Sequence, residues 1–127
     1  MMKTINTNDA PAAIGPYSQG VIVGGLLFTA GQIPLDPQTM KLVGGTIEEQ
    51  TIRVLANLDA ILKSAGSSWQ HVVKTTVFLS DLSEFAQMNK AYESHLNGAK
   101  PARSTVQVAA LPLGAKIEIE LVAEIPT

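Results

Sequence analysis

Residues 46–66 read TIEEQTIRVLANLDAILKSAG, and residues 72–79 read VVKTTVFL. The first stretch places apolar residues at 47, 54, 55, 58, 61, 62 and 65, a spacing that gathers them on one face of a helix. Thr46 and Glu49 stand three apart, as a capping box requires, and Gly66 supplies a left-handed stop. The second stretch is too rich in Val and Thr to favour another helix and has the length of a strand, which we place in the interior of a sheet. Working outward, Asp81 and Glu84 predict the start of a second helix. Its Leu82, Phe85, Met88, Tyr92 and Leu96 share a face before Gly98 and Pro101 end it. Upstream, Val21-Ile22-Val23 and Leu26-Leu27-Phe28-Thr29 flank Gly24-Gly25 and predict a two-residue hairpin. Arg103 to Val108 and Ile117 to Ala123 alternate as strands do. The predicted class is α+β, and no repeat, charged block or low-complexity linker divides residues 1–127, so one domain is expected.

Composition narrows the function. The chain has 46% hydrophobic and only 16% charged residues, low for a surface made wholly of polar groups, so some apolar surface is expected to meet another subunit. Its formal net charge is -2 and its nine Lys and Arg are scattered, which provides no basic track for nucleic acid. No stretch of about 18 apolar residues suggests a membrane span, and Met1 to Asn6 turns polar before a signal-peptide core could form. A cytoplasmic location is expected. The absence of Cys removes disulfides, thiolate nucleophiles and Cys-ligated zinc.

The chemistry-bearing positions are few. On the first of the last two strands Arg103, Thr105 and Gln107 point one way, and on the second Glu118 and Glu120 oppose Ile117, Ile119 and Leu121. The ordinary interpretation is a solvated sheet face with an Arg and Glu pair. Asn89 shares the face of Phe85, Tyr92 and Leu96, so its amide must find partners on burial. Ile14-Gly15-Pro16-Tyr17-Ser18-Gln19-Gly20 and Thr29-Ala30-Gly31-Gln32-Ile33-Pro34 break periodicity, and are either rigid turns or places where backbone approaches a ligand. Pro16 stands where a nucleophile elbow at Ser18 needs glycine, and no phosphate loop occurs. His71 and His95 lie on different elements without metal-ligand spacing, so neither a metal nor a histidine base is expected.

Several segments together resemble one family. Ala10 to Gly20, Gly31-Gln32-Ile33-Pro34, Lys74-Thr75-Thr76-Val77-Phe78, Pro101-Ala102-Arg103-Ser104 and Lys116-Ile117-Glu118-Ile119-Glu120 are similar, in order and spacing, to the RidA/YjgF family over nearly the whole chain. The resemblance implies a chorismate-mutase-like α+β fold, a mixed sheet covered by two helices on one side, and a homotrimer with sites between subunits. It implies hydrolysis of reactive 2-enamino and 2-imino acids to 2-oxo acids and ammonia, without a cofactor.

Carried onto this chain, Arg103 matches the arginine that holds the substrate carboxylate through two parallel hydrogen bonds. Glu118 matches the glutamate that orients or deprotonates the attacking water, with Glu120 secondary. Tyr17 and Asn89 fall at pocket positions, and the Gly31 amide at a ligand-bonding one. Many relatives have serine in place of Ala30 and cysteine in place of Thr105. Ala30 therefore lacks a hydroxyl at the pocket, whereas Thr105 keeps one on the Arg103 face. The alternatives are a non-catalytic module that binds small carboxylates, and an endoribonuclease or translation inhibitor, against which the charge argues.

Overall fold

The computed structural model describes residues 1–127. Its strands are β1 (Lys3–Ile5), β2 (Gly20–Val23), β3 (Leu26–Thr29), β4 (Val72–Leu79), β5 (Ala102–Gln107) and β6 (Ile117–Glu124). Helix α1 (Ile47–Ser64) lies between β3 and β4, and α2 (Phe85–Ser94) between β4 and β5. One sheet in the order β1-β2-β3-β6-β4-β5 holds all six strands. Only β4 and β5 run parallel, and α2 is the crossover such a pair needs. The sheet is therefore mixed and the class α+β, as expected.

Local chemistry explains the elements. Gly24 and Gly25 have φ of 58° and 76°, the conformation a two-residue hairpin turn demands at both central positions. At α1 the Thr46 hydroxyl accepts from the Glu49 amide at 3.2 Å, and the Glu49 carboxylate accepts from the Thr46 amide at 3.1 Å. The capping box thus forms, and Gly66 turns the chain at φ 78°.

The second helix departs from its expected form. Asp81 accepts from the Ser83 amide at 2.9 Å and starts a 3₁₀ turn, Leu82–Glu84, before α2 begins. The tighter turn shifts the phase of the helix. Leu82 and Phe85 consequently stand 43% and 37% exposed, and the core face is carried by Met88, Ala91, Tyr92 and Leu96 instead. The edge strand β1 has only three residues and no alternating signal announces it.

Register sorts the sheet into two faces. Val77 pairs with both Thr105 and Ile119, and Thr75 with both Arg103 and Leu121. That face meets the helices, where Leu27, Leu79, Ile117, Ile119 and Ala123 pack fully buried with Val54, Leu58, Ile61 and Leu62 of α1. Phe78 pairs with Glu118 and Thr76 with Glu120, on the face the helices leave open.

Three polar residues interrupt the apolar face of α1. Gln50 donates to Val43 O at 3.1 Å and accepts from the Lys116 amide at 2.9 Å. Thr51 bonds back to Ile47 O at 2.7 Å. Asn57, fully buried, donates to Ile33 O and Leu35 O at 3.4 and 3.0 Å while accepting from Arg53 Nη2 at 2.8 Å. These bonds tie the irregular chain after β3 to α1. Asn57→Ala would leave the buried Leu35 carbonyl without a donor and should cost about 2 kcal/mol, read as a lowered urea midpoint with an unchanged slope. An unchanged midpoint would show that water replaces the amide.

Candidate functional site

On the helix-covered face, β5 carries Arg103 half-buried at the edge of the core. Asn89 of α2 accepts from Arg103 Nη1 at 2.7 Å. The guanidinium carbon lies 4.8 Å from the centre of the Tyr92 ring and 5.4 Å from that of Phe85. These distances suit cation–π contact, which with the Asn89 hydrogen bond restrains the guanidinium. Tyr92 is held in turn by a 2.7 Å hydrogen bond between its hydroxyl and that of the wholly buried Thr75. Burial pushes its phenol above the ordinary range. Neither the Lys63–Asp59 ion pair nor the 3.7 Å contact between His71 and Glu124 involves Arg103, so its charge has no carboxylate partner in its own chain. A cavity of about 520 Å³ opens beside it, bounded by Asn89, Tyr92, Leu96 and Pro101.

Thr105 follows on the same face. Its hydroxyl is buried and has no hydrogen-bond partner, a state that costs free energy unless a ligand or water fills it. The sequence marks this residue by type alone; its unsatisfied hydroxyl is visible only in the fold.

A second cavity, of about 480 Å³, brings together Tyr17, Ala30, Gly31 and Glu118. Glu118 lies against Gly31: a Cβ at residue 31 would fall 2.8 Å from the carboxyl carbon, so any side chain there would push the carboxylate aside. The flanking amides are occupied, Ala30 N donating to Gln19 O at 3.0 Å and Gln32 N to Ile119 O at 2.8 Å. The Gly31 amide between them makes no hydrogen bond within the chain. Gln19 shapes this region from behind. Only 2% exposed, it accepts from the Thr7 amide at 2.7 Å and donates to the carbonyls of Thr7 and Pro11 at 3.0 and 2.8 Å. Tyr17 stands on the rim, 52% exposed.

The two cavities correct one expectation. Arg103 and Glu118 do not share a polar sheet face, because the register puts Arg103 beside Thr75 and Leu121 and Glu118 beside Phe78. Within one chain they lie on opposite faces of the sheet and cannot pair. The structure thus joins Asn89 and Arg103, with Thr105 along the same face, and separately joins Tyr17, Ala30, Gly31 and Glu118. Phe85, Tyr92 and Thr75 complete the arginine cradle. Phe85 and Tyr92 appeared in sequence only as core-facing positions, although their spacing with Asn89 places all three on one side of α2.

Burial raises the Glu118 carboxyl above its ordinary 4.5, and the like charge of Glu120 on the same face adds to the effect. A carboxyl raised this way holds its proton to higher pH and is a stronger base once it ionises. Carbon-detected NMR should show Glu118 titrating above 4.5, with the inflection moving down in Glu120→Gln. A Glu118 inflection at or below the ordinary value would contradict the desolvated setting.

Comparison with known proteins agrees with this architecture. Residues 7–125 match the family model described as Endoribonuclease L-PSP. A RutC family protein of Synechocystis is 52% identical, with 99% of this chain and 98% of that protein covered. The mouse 2-iminobutanoate/2-iminopropanoate deaminase is 48% identical, with 95% of this chain and 90% of that protein covered. The crystal structure of Escherichia coli TdcF with bound serine superposes with a TM-score of 0.91 at 44% identity, covering 96% of this chain and 98% of that one. A match over almost the whole length, together with the shared fold, shows that this chain belongs to the Endoribonuclease L-PSP family, the RidA/YjgF proteins.

Proposed function

We propose that this protein hydrolyses 2-imino acids such as 2-iminopropanoate and 2-iminobutanoate to 2-oxo acids and ammonia. Its sites would lie in the cytoplasm, between the subunits of a homotrimer. The observation that carries the proposal is the division of the site: an oriented guanidinium without a counter-ion on one sheet face, and a desolvated carboxylate beside a free amide on the other. Each is half of a site, and a second copy of the chain is the simplest source of the missing half. The open, partly apolar sheet face, with Phe28 42% and Val106 44% exposed, is suited to receive it.

In the joined site, Arg103 of one subunit grips the substrate carboxylate with two parallel hydrogen bonds, its guanidinium restrained by Asn89, Tyr92 and Phe85. The imine carbon then sits toward Glu118 of the neighbour. Ionised Glu118 takes a proton from water as its oxygen adds to the carbon–nitrogen double bond and passes that proton to the nitrogen, giving a carbinolamine. Glu118 then takes the hydroxyl proton as the ketone forms and delivers it to the nitrogen, which leaves as ammonia. The Gly31 amide donates to the substrate, and the orphaned Thr105 hydroxyl faces the arginine side. Ala30 places no second hydroxyl there. The step requires water, proton transfer and orientation, so no cofactor enters it. Relatives named as deaminases in mouse and Arabidopsis, each 48% identical, support the same chemistry. The formal charge of -2 and scattered basic residues disfavour RNA as the substrate.

The test generates 2-iminopropanoate in place from alanine with an amino-acid oxidase and follows its trapping. Wild type should clear the imine. Arg103→Ala should lower kcat/KM by about 10²–10³-fold as the carboxylate anchor is lost, and Glu118→Gln should lower kcat by about 10²–10⁴-fold while ligand binding survives. A wild type that binds pyruvate but clears no imine would instead identify a carboxylate-binding module.

A further inference from the structure

Three non-glycine residues hold a left-handed backbone: Met40 at φ 60°, Asn97 at φ 51° and Leu113 at φ 58°. Asn97 follows the rule that asparagine tolerates this region, but methionine and leucine do not. Both of these exceptions line the cavity that holds Glu118 and Gly31.

The surrounding chain enforces each one. Around Met40, the Asp36 carbonyl accepts the Met40 amide at 2.8 Å, and the Asp36 amide donates to Lys41 O at 3.0 Å. The Asp36 carboxylate accepts from the amides of Gln38 and Thr39 at 2.8 and 3.2 Å. Around Leu113, the amides of Gly114 and Ala115 donate to Leu111 O and Pro112 O at 3.2 and 3.1 Å. In both turns glycine would satisfy the backbone at less strain. A bulky apolar residue there is explained by what its side chain does.

Leu113 is 70% exposed, and its leucine side chain stands at the cavity mouth without neighbours to bury it. The wall behind is apolar, formed by Ile33 and Leu35, whose carbonyls Asn57 fixes from α1. We propose that Met40 and Leu113 are specificity residues, closing an apolar subsite beside Glu118 that takes the carbon chain of the substrate. The inference rests on the Glu118 cavity being half of the imino-acid site and deepens that assignment. It names 2-imino acids with branched or longer apolar side chains as preferred over the methyl compound. The cavity, about 480 Å³, has room for such a chain.

The experiment measures binding apart from turnover, by titration calorimetry with pyruvate and with 4-methyl-2-oxopentanoate. Wild type should bind the branched acid about tenfold more tightly, since half-burying three further carbons is worth that much. The Met40→Gly and Leu113→Gly double variant should bind the two acids within about twofold of each other. Pyruvate binding should fall by less than binding of the branched acid. Glycine suits both backbone positions, so the variant should fold, which circular dichroism checks. No preference in wild type, a preference that survives in the variant, or an equal loss for both acids would each overturn the subsite. Hydrolysis of 2-iminopropanoate by the same wild-type sample separates the two proposals. Preference without hydrolysis would sink the deaminase and leave the subsite, whereas hydrolysis without preference would sink the subsite alone.

Discussion

Successive residues of a strand project to opposite faces of its sheet, and the pairing of β4 with both β5 and β6 decides which faces those are. Thr75 stands beside Arg103 on one side and Leu121 on the other, while Phe78 stands beside Glu118. A slip of one residue in the ladder of β4 with β6 would exchange the faces of the whole of β6. The slip is opposed by the core, because it would expose Ile117, Ile119, Leu121 and Ala123 of β6, all of which are buried. The hydrophobic packing that stabilises the fold therefore also holds Arg103 and Glu118 apart.

The two helices make different contributions to the site. Helix α2 supplies the arginine cradle directly through Asn89, Phe85 and Tyr92. Helix α1 acts at a distance: Asn57 and Gln50 hold the chain from Ile33 to Val43, and Gln50 also binds the Lys116 amide two residues before Glu118. Polar groups inside a core are costly unless paired, and here their partners are the carbonyls and amides of irregular backbone. The glutamate cavity is thus anchored from within the core, and its rim is built from two strained turns.

Much of this was legible in the sequence. The capping box of Thr46 and Glu49, the Gly24-Gly25 turn and the alternation of β6 each follow from local chemistry that the structure reproduces. Arg103, Asn89, Tyr17, Gly31 and Glu118 were identifiable as unusual polar or glycine positions, or by their family motifs. What could not be read was the relation between strands. Alternation fixes parity within β5 and within β6 but not between them, so the two polar faces looked like one. Gln50 and Asn57 escaped notice because an apolar period counts only apolar residues. Phe85 was misplaced because no sequence signal separated the 3₁₀ turn from the helix that follows. The left-handed Met40 and Leu113 were invisible for the opposite reason: their residue types argue against the conformation they adopt.

If Arg103 and Glu118 act from different chains, two inactive variants should complement each other. Arg103→Ala and Glu118→Gln proteins would be unfolded together and refolded as a mixture, mixed assemblies confirmed by native mass spectrometry, and imine clearance measured. The shared-site account predicts that activity absent from either variant alone returns in the mixture, because some interfaces then carry an intact arginine from one chain and an intact glutamate from the other. Mixed assemblies that form but remain inactive would show that both groups serve a site within one chain, contradicting the account.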